Sequence, residues 1–243
     1  EMLRSLVGSE MCIRDRCASV THRAVAEPFV IGKEYGVESF VNQGEIHILA
    51  VMQKDMTLPP YYAELGHVIP SGLPDKLETK IKNCVVKALE VLGVNHGSVN
   101  MDLLINDEGE VHIVDIGARM GGNLIGSHII PVGTGIDYMD NMIKAAVGDP
   151  VDFHPQRQPV PVATKLLALT PGVVKELPDF EKITVENDVI IEHRLHVGDS
   201  INEYHTNIDG YGYVVARRSN VGESIAVAAA VRTIIDEAII RES

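Results

Sequence analysis

The chain has no tryptophan, only 5% aromatic residues and three cysteines in 243 residues. Cys12, Cys17 and Cys84 are too few and too scattered for a disulfide framework, so a reducing cytoplasm is the simplest setting. Positive charge is scarce too. The net charge is −13 and no cluster of five or more Lys/Arg occurs. A sequence-independent grip on a phosphate backbone needs such clusters, so nucleic acid is not an expected partner. No run of 18 apolar residues exists, so no membrane-spanning helix is expected. What is present is an ordinary globular balance, 45% hydrophobic and 23% charged, at a length suited to one large domain or two smaller ones.

The first residues, EMLRSLVGSEMCIRDRCASV, follow neither helical nor strand periodicity. Their apolar run is too short for a signal-peptide core. They look like translated adapter sequence, so residues 1–23 are set aside as an artefactual or disordered leader. Cys12 and Cys17 then carry no redox or metal reading, and the true protein is expected to begin further upstream.

From about Ala24 the pattern is regular. FVIGKEYGVESFV and GEIHILAVMQ read as strands joined at Asn42-Gln43-Gly44, a hairpin signal. MTLPPYYAELGHVIPSGLP, with four prolines, reads as loop. Pro74 and Asp75 open a helix whose apolar stripe is Leu77, Ile81, Val85 and Leu92, and Gly93 closes it. VNMDLLI and VHIVDI are strands separated by NDEGE. A second helix spans Asp137 to Val147 and stops at Gly148-Asp149-Pro150. The four prolines of residues 149–162 suggest a boundary. Beyond them, strand-like segments precede a helix that Asn220 and Glu223 start in the manner of a capping box. The expected class is therefore α+β: an antiparallel sheet with helices over 24–152, and a small α+β module over 158–243.

The NDEGE hairpin raises a chemical question. If Ile105 faces His112, then Asp102 faces Asp115. Directly opposed side chains share a face about 4.5–5.5 Å apart, and two carboxylates so placed repel unless a cation joins them. A hard divalent ion such as Mg²⁺ suits that set, because it takes one or two carboxylates and completes its shell with phosphate oxygens and water. Arg119, followed by Gly121 and Gly122, adds a guanidinium and open backbone N–H groups, which suit phosphate. The alternatives are an Asp that faces solvent, an Asp115–Arg119 salt bridge, or a register slip that separates the acids.

At these residues the sequence resembles a known family. VHIVDIGARMGGN looks like the magnesium-and-phosphate motif of the ATP-grasp ligases, and AEPFVIGKEYGVESF resembles their hinge strand. The resemblance implies ATP and Mg²⁺ as cofactors. Asp102 and Asp115 would be metal ligands and Arg119 would hold the transferred phosphoryl group. Glu27 would accept from the adenine amino group, Phe29 and Val30 would line the adenine slot, and Glu34 would bind the ribose hydroxyls. AELGHVIPSGLP and the C-terminal segment are similar to the L-amino acid ligases, which make dipeptides. That likeness implies a loop histidine, His67, near the acyl phosphate, with Glu64 on the substrate amine or a second metal ion. The implied partners are small carboxylate and amine substrates; a homodimer is left open. Two departures stand out. Many family members have Glu in place of Asp115 and Asn in place of Gly117. The family's N-terminal domain and phosphate-covering lobe are also not recognised in this sequence, so the chain alone is expected to be an inactive fragment.

Two histidine features are weighed beside these. His128, just past the GGN loop, reads as a satisfied helix-entry residue. His193 and His196, taken as strand residues on alternate faces, read as surface groups. The rival readings of function are a carboxylase-like or purine-pathway ATP-grasp enzyme and a nucleotide-binding regulator without turnover.

Overall fold

The structure, a computed structural model, describes residues 28–59 and 61–242. The chain divides into two compact units, residues 1–31 and 32–243. The second runs β1 (Lys33–Asn42), β2 (Glu45–Met56), β3 (Glu64–Ile69), α1 (Asp75–Leu92), β4 (Gly97–Ile105), β5 (Val111–Gly117), a π-turn (Ile125–Ile129), α2 (Ile130–Thr134) and α3 (Tyr138–Val147). It continues with β6 (Val162–Leu166), β7 (Gly172–Glu176), α4 (Phe180–Asn187), β8 (Val189–His193), β9 (Ser200–Ile201), β10 (Gly212–Arg217), α5 (Val221–Ala238) and β11 (Ile240–Glu242). Eight strands form one sheet in the order β5-β4-β1-β2-β3-β6-β10-β8, and β11-β7-β9 form a second. Among the described residues no helix is long and apolar enough to cross a membrane.

The helix signals operate as the sequence implies. Pro74 caps α1, Asp75 and Glu78 place acid at the positive end of its dipole, and Gly93 ends it in the left-handed conformation. The buried stripe is Ile81, Val85 and Leu89, however, and Leu92 is exposed. Four-residue steps from Ile81 keep the stripe on one face, and Leu92 lies off it. These side chains pack on Tyr35, Val37, Val99, Met101 and Leu103, all buried, which seals one face of the sheet. Asp137 caps α3 by accepting from the Asp140 N–H. Asn220 caps α5 by accepting from the Glu223 N–H, but the Glu223 carboxylate takes the Ser219 hydroxyl at 2.9 Å, so the box closes through a neighbour.

Two expectations change. The proline-rich passage expected to be loop contains β3, which pairs with β2 on one side and β6 on the other. The proline-rich segment 149–162 is also no break in the sheet. Val68 and Ile69 on β3 pair with Ala163 and Val162 on β6, and Val68 shares its apolar cluster with Val214, Val231 and Ile235. The strands after the prolines thus extend the sheet begun before them.

Candidate functional site

Strand alternation builds the site. On β1, Tyr35 and Val37 face α1, so Glu34, Gly36 and Glu38 face the other way. Cross-strand pairing extends this into two rows. One row is Gly36, Asp102 and Asp115; the other is Glu38, Asn100 and Gly117. The Asp102–Asp115 opposition is present, but by a different route from the one expected. Ile105 pairs with Val111 rather than His112, and a bulge after Asp102 inserts Val114 as one extra residue. Counting from the turn is off by one, and the bulge restores the carboxylate pair.

Lys54 is the centre of the acidic face. It lies on β2 with its side chain 2% exposed, and its Nζ is 2.6 Å from Glu34, 2.5 Å from Glu64 and 3.0 Å from Asp102. Burial alone pulls the ammonium pKa down, but the charges of Asp102, Glu64 and Glu34 outweigh it and raise it above the ordinary lysine value. Burial raises the Glu34 and Asp102 carboxyls against the pull of Lys54, and Asp115 adds to the rise at Asp102. Glu34, Glu64 and Asp102 present oxygens within 4.8 Å of one another, a spacing that can hold a metal ion. The Lys54 ammonium already supplies their counter-charge. Asp115, which is exposed, has no ion pair among the described residues, and the second oxygen of Asp102 is not taken by Lys54.

Glu64 is fixed from three directions. Its carboxylate accepts from Lys54, from Asn123 and, at 3.0 Å, from Asn207. The Tyr204 hydroxyl donates to the Glu64 carbonyl, and Tyr213 donates to Asn123. Burial would raise the Glu64 carboxyl, but its charged and hydrogen-bonding neighbours hold it below the ordinary value. His67, on β3 rather than in a loop, is 2% exposed, with Nε2 4.0 Å from Glu64 and Nδ1 unpartnered. Burial pushes its pKa down to about 4, so it is neutral at pH 7.

Arg119 lies on the turn after β5. The turn is tied back to the sheet by Asn100 N–H donating to the Arg119 carbonyl at 3.0 Å. The guanidinium donates to the Met120 carbonyl at 3.0 Å and makes no ion pair with Asp115 among the described residues. A Cβ on Gly117 would sit 3.6–3.7 Å from the Arg119 side chain. A side chain there would therefore pack in van der Waals contact with Arg119. Gly36, Glu64, His67, Asn100, Asp102 and Arg119 all line one cleft of about 580 Å³, walled by Gly121–Asn123 and Asn207.

Under this cleft Glu38 is fully buried, and burial raises its pKa from 4.5 to about 7 despite hydrogen bonds from Tyr138, Asn100 and Gly121. The folded state therefore holds a proton that the unfolded chain has released. This contribution to stability is full below pH 4.5 and is lost as the pH rises to about 7. His67 acts in the opposite sense, with stability lost as the pH falls from 6.5 through about 4. Denaturant titrations of Glu38→Gln at pH 4.5, 6 and 8 should lack the decline between 4.5 and 7 that the parent shows; an unchanged difference between the two proteins across that range would contradict the assignment.

The structure brings Glu34, Glu64, His67, Asp102, Asp115 and Arg119 to one face. Glu27 lies outside the described residues, and Phe29 and Val30 belong to the other compact unit. Lys54, Glu38, Asn123, Asn207 and Tyr213 are additions. Neither Lys54 nor Glu38 stands out in the sequence, because a lone charged residue in a strand ordinarily marks the solvent face. His128 is half-buried against Ser127 and Glu192, as a helix-entry residue would be. His193 ends β8 and stacks on Phe180, whereas His196 lies beyond the strand beside Asp199, so the two do not alternate on one strand.

Residues 12–127 match the family described as the ATP-grasp domain. The fold agrees. The structure of L-amino acid ligase from Bacillus licheniformis has TM-score 0.76 at 21% identity, over 88% of this chain and 55% of that one. Phosphoribosylglycinamide synthetase from Anaerococcus prevotii has TM-score 0.75 at 21% identity, with the same coverage. Two curated D-alanine–D-alanine ligases also match. The one from Cupriavidus metallidurans is 27% identical over 92 residues, which is 37% of this chain and 27% of that protein. The one from Cupriavidus necator is 23% identical over 152 residues, 58% and 45% of the two lengths. The chain thus spans less than half the length of the curated relatives it matches.

Proposed function

We propose that the complete protein is an ATP- and magnesium-dependent ligase that joins a carboxylate to an amine, with amino acids as substrates. The observation that carries this reading is the opposed Asp102–Asp115 pair at the edge of a cleft that also holds Arg119. The donor set fits Mg²⁺: two hard carboxylates, one exposed and without a counter-ion among the described residues. Asp102 and Asp115 would hold the ion, which neutralises charge on the triphosphate oxygens when bound. Arg119 holds the transferred phosphoryl group. Glu34 accepts from the ribose hydroxyls; the adenine role of Glu27, Phe29 and Val30 rests on the sequence resemblance alone.

The substrate carboxylate attacks the γ-phosphorus, which forms an acyl phosphate and releases ADP. The amine, once deprotonated, then attacks the acyl carbon; the C–N bond forms, the C–O bond to phosphate breaks, and phosphate leaves with the surplus N–H proton. Glu64, charged at neutral pH and held rigidly by two asparagines, suits the substrate ammonium. His67 is neutral and keeps Nδ1 free, which suits it to orient a polar substrate group more than to store a proton.

The test is phosphate release and product formation by the complete protein with ATP, Mg²⁺ and pairs of amino acids. Release that depends on the amino acids and stops with a chelator is expected. No stimulation by any pair would sink the ligase reading and favour a nucleotide-binding regulator.

A further inference from the structure

Glu38 performs none of the chemistry above, yet it occupies the most buried polar position under the cleft. Its side chain sits at 0% exposure in the middle of the sheet. It accepts from Tyr138 Oη on α3 at 2.7 Å, from Asn100 Nδ2 on β4 at 3.0 Å and from the Gly121 N–H at 3.1 and 3.3 Å. Asn100 is also the residue whose backbone N–H holds the Arg119 carbonyl. Two ties, both anchored on the Glu38–Asn100 pair, therefore bracket Arg119 at residues 119 and 121. Gly121 is seated without slack: a Cβ there would lie 2.8 Å from Ile125, 2.9 Å from Asn100 and 2.9 Å from the Glu38 carboxylate. Among the described residues the guanidinium has only the Met120 carbonyl as a hydrogen-bond partner, so its placement depends on the backbone that carries it.

A buried acid is an expensive way to fill such a position. An apolar residue of similar volume is often neutral or stabilising in place of a buried charged group, and Met52 and Ala50 fill neighbouring sites of the same sheet. We propose that Glu38 is a positioning residue: it latches the Arg119–Asn123 turn to the sheet and so sets where the Arg119 guanidinium meets phosphate. This rests on the phosphoryl role given to Arg119 above.

The test separates the two. In the complete protein, amide hydrogen exchange is followed in Glu38→Leu and, as a milder variant that keeps the buried shape, Tyr138→Phe. Exchange at Gly121 should accelerate in Glu38→Leu by about tenfold to a hundredfold, the factor for loss of one hydrogen bond to an acidic acceptor, while the centre of β4 keeps its protection. Glu38→Gln, which retains a carbonyl acceptor, should restore most of that protection. Kinetically, Glu38→Leu should lower kcat at least about tenfold with little change in nucleotide KM, because a misplacement of about 1 Å costs up to ~10² in rate. In an Arg119→Ala background the same change should add almost nothing. Uniform loss of protection across β1 and β4, or full additivity with Arg119→Ala, would overturn the latch. If Glu38→Leu does not fold, unchanged exchange at Gly121 in Tyr138→Phe overturns it and accelerated exchange there supports it. A parent without ligase turnover defeats the phosphoryl reading but leaves the exchange result to decide whether Glu38 latches the turn.

Discussion

Lys54→Met should cost about 3–5 kcal/mol of stability, the range for removing one partner of a buried ionic cluster. The substitution keeps the length and apolar stem of the side chain, so packing is nearly conserved and the loss is electrostatic. It leaves Glu34, Glu64 and Asp102 with oxygens within 4.8 Å of one another and with no ammonium among them. Their side chains are only 17–24% exposed, so water cannot fully take over. The pH dependence gives the diagnosis. Without Lys54 the three carboxyls shift upward, because burial and mutual repulsion lose their main counterweight, with the asparagine hydrogen bonds left against them at Glu64 alone. The variant should therefore be weakest at pH 8 and recover toward the parent at pH 5, where the carboxyls take up protons. Urea unfolding at both pH values measures this; a loss equal at both would mean that Lys54 acts by packing. Lys54→Arg should not be neutral, because a planar fork cannot fill a site shaped around one point charge.

The second large effect concerns rate. Arg119→Ala should lower kcat by roughly 10²–10³, the scale for removing one preorganised group that stabilises transition-state charge. Stability should stay within about 0.5 kcal/mol, as for other exposed positions away from the core, since its one described side-chain contact is the exposed bond to Met120. Arg119→Lys should recover only part of the rate, because two phosphate oxygens cannot be held in parallel by one ammonium. Phosphate release under saturating substrates, read beside thermal melting, distinguishes the two quantities. A kcat within threefold of the parent would remove Arg119 from the phosphoryl site.

The two outcomes also show what the sequence could and could not reveal. Asp115 and Arg119 stood out in the sequence because a carboxylate that ends an apolar strand, with a guanidinium and glycines after it, has few purely structural explanations. Hairpin arithmetic pointed to Asp102, but its count from the turn is off by one and only the bulge at Val114 brings Asp102 opposite Asp115. Lys54 was not legible, since a lysine in a strand usually marks the solvent face; only the sheet shows that its neighbours are Glu34, Asp102 and Glu64. Glu38 was hidden for the same reason. β3 was hidden among four prolines, and its Glu64 and His67 break the apolar run that would have marked a buried strand. The segment 149–162 misled in the other direction: prolines marked a change of path, while β3–β6 pairing carried the sheet across it.

The extra residue at Val114 has a mechanical meaning for the hairpin. From Asn100 to Asp102 the strands keep one register, fixed by β1 and by the Asn100–Arg119 backbone bond; from Leu103 to Ile105 they keep another, fixed by the turn. The two halves are geared separately. A residue gained or lost in the 106–110 turn can be absorbed at Val114, like travel taken up in an expansion joint, before it reaches the acids. Deleting Val114 itself locks turn and site into one register, and any later change in turn length would then turn Asp115 to the other face of the sheet.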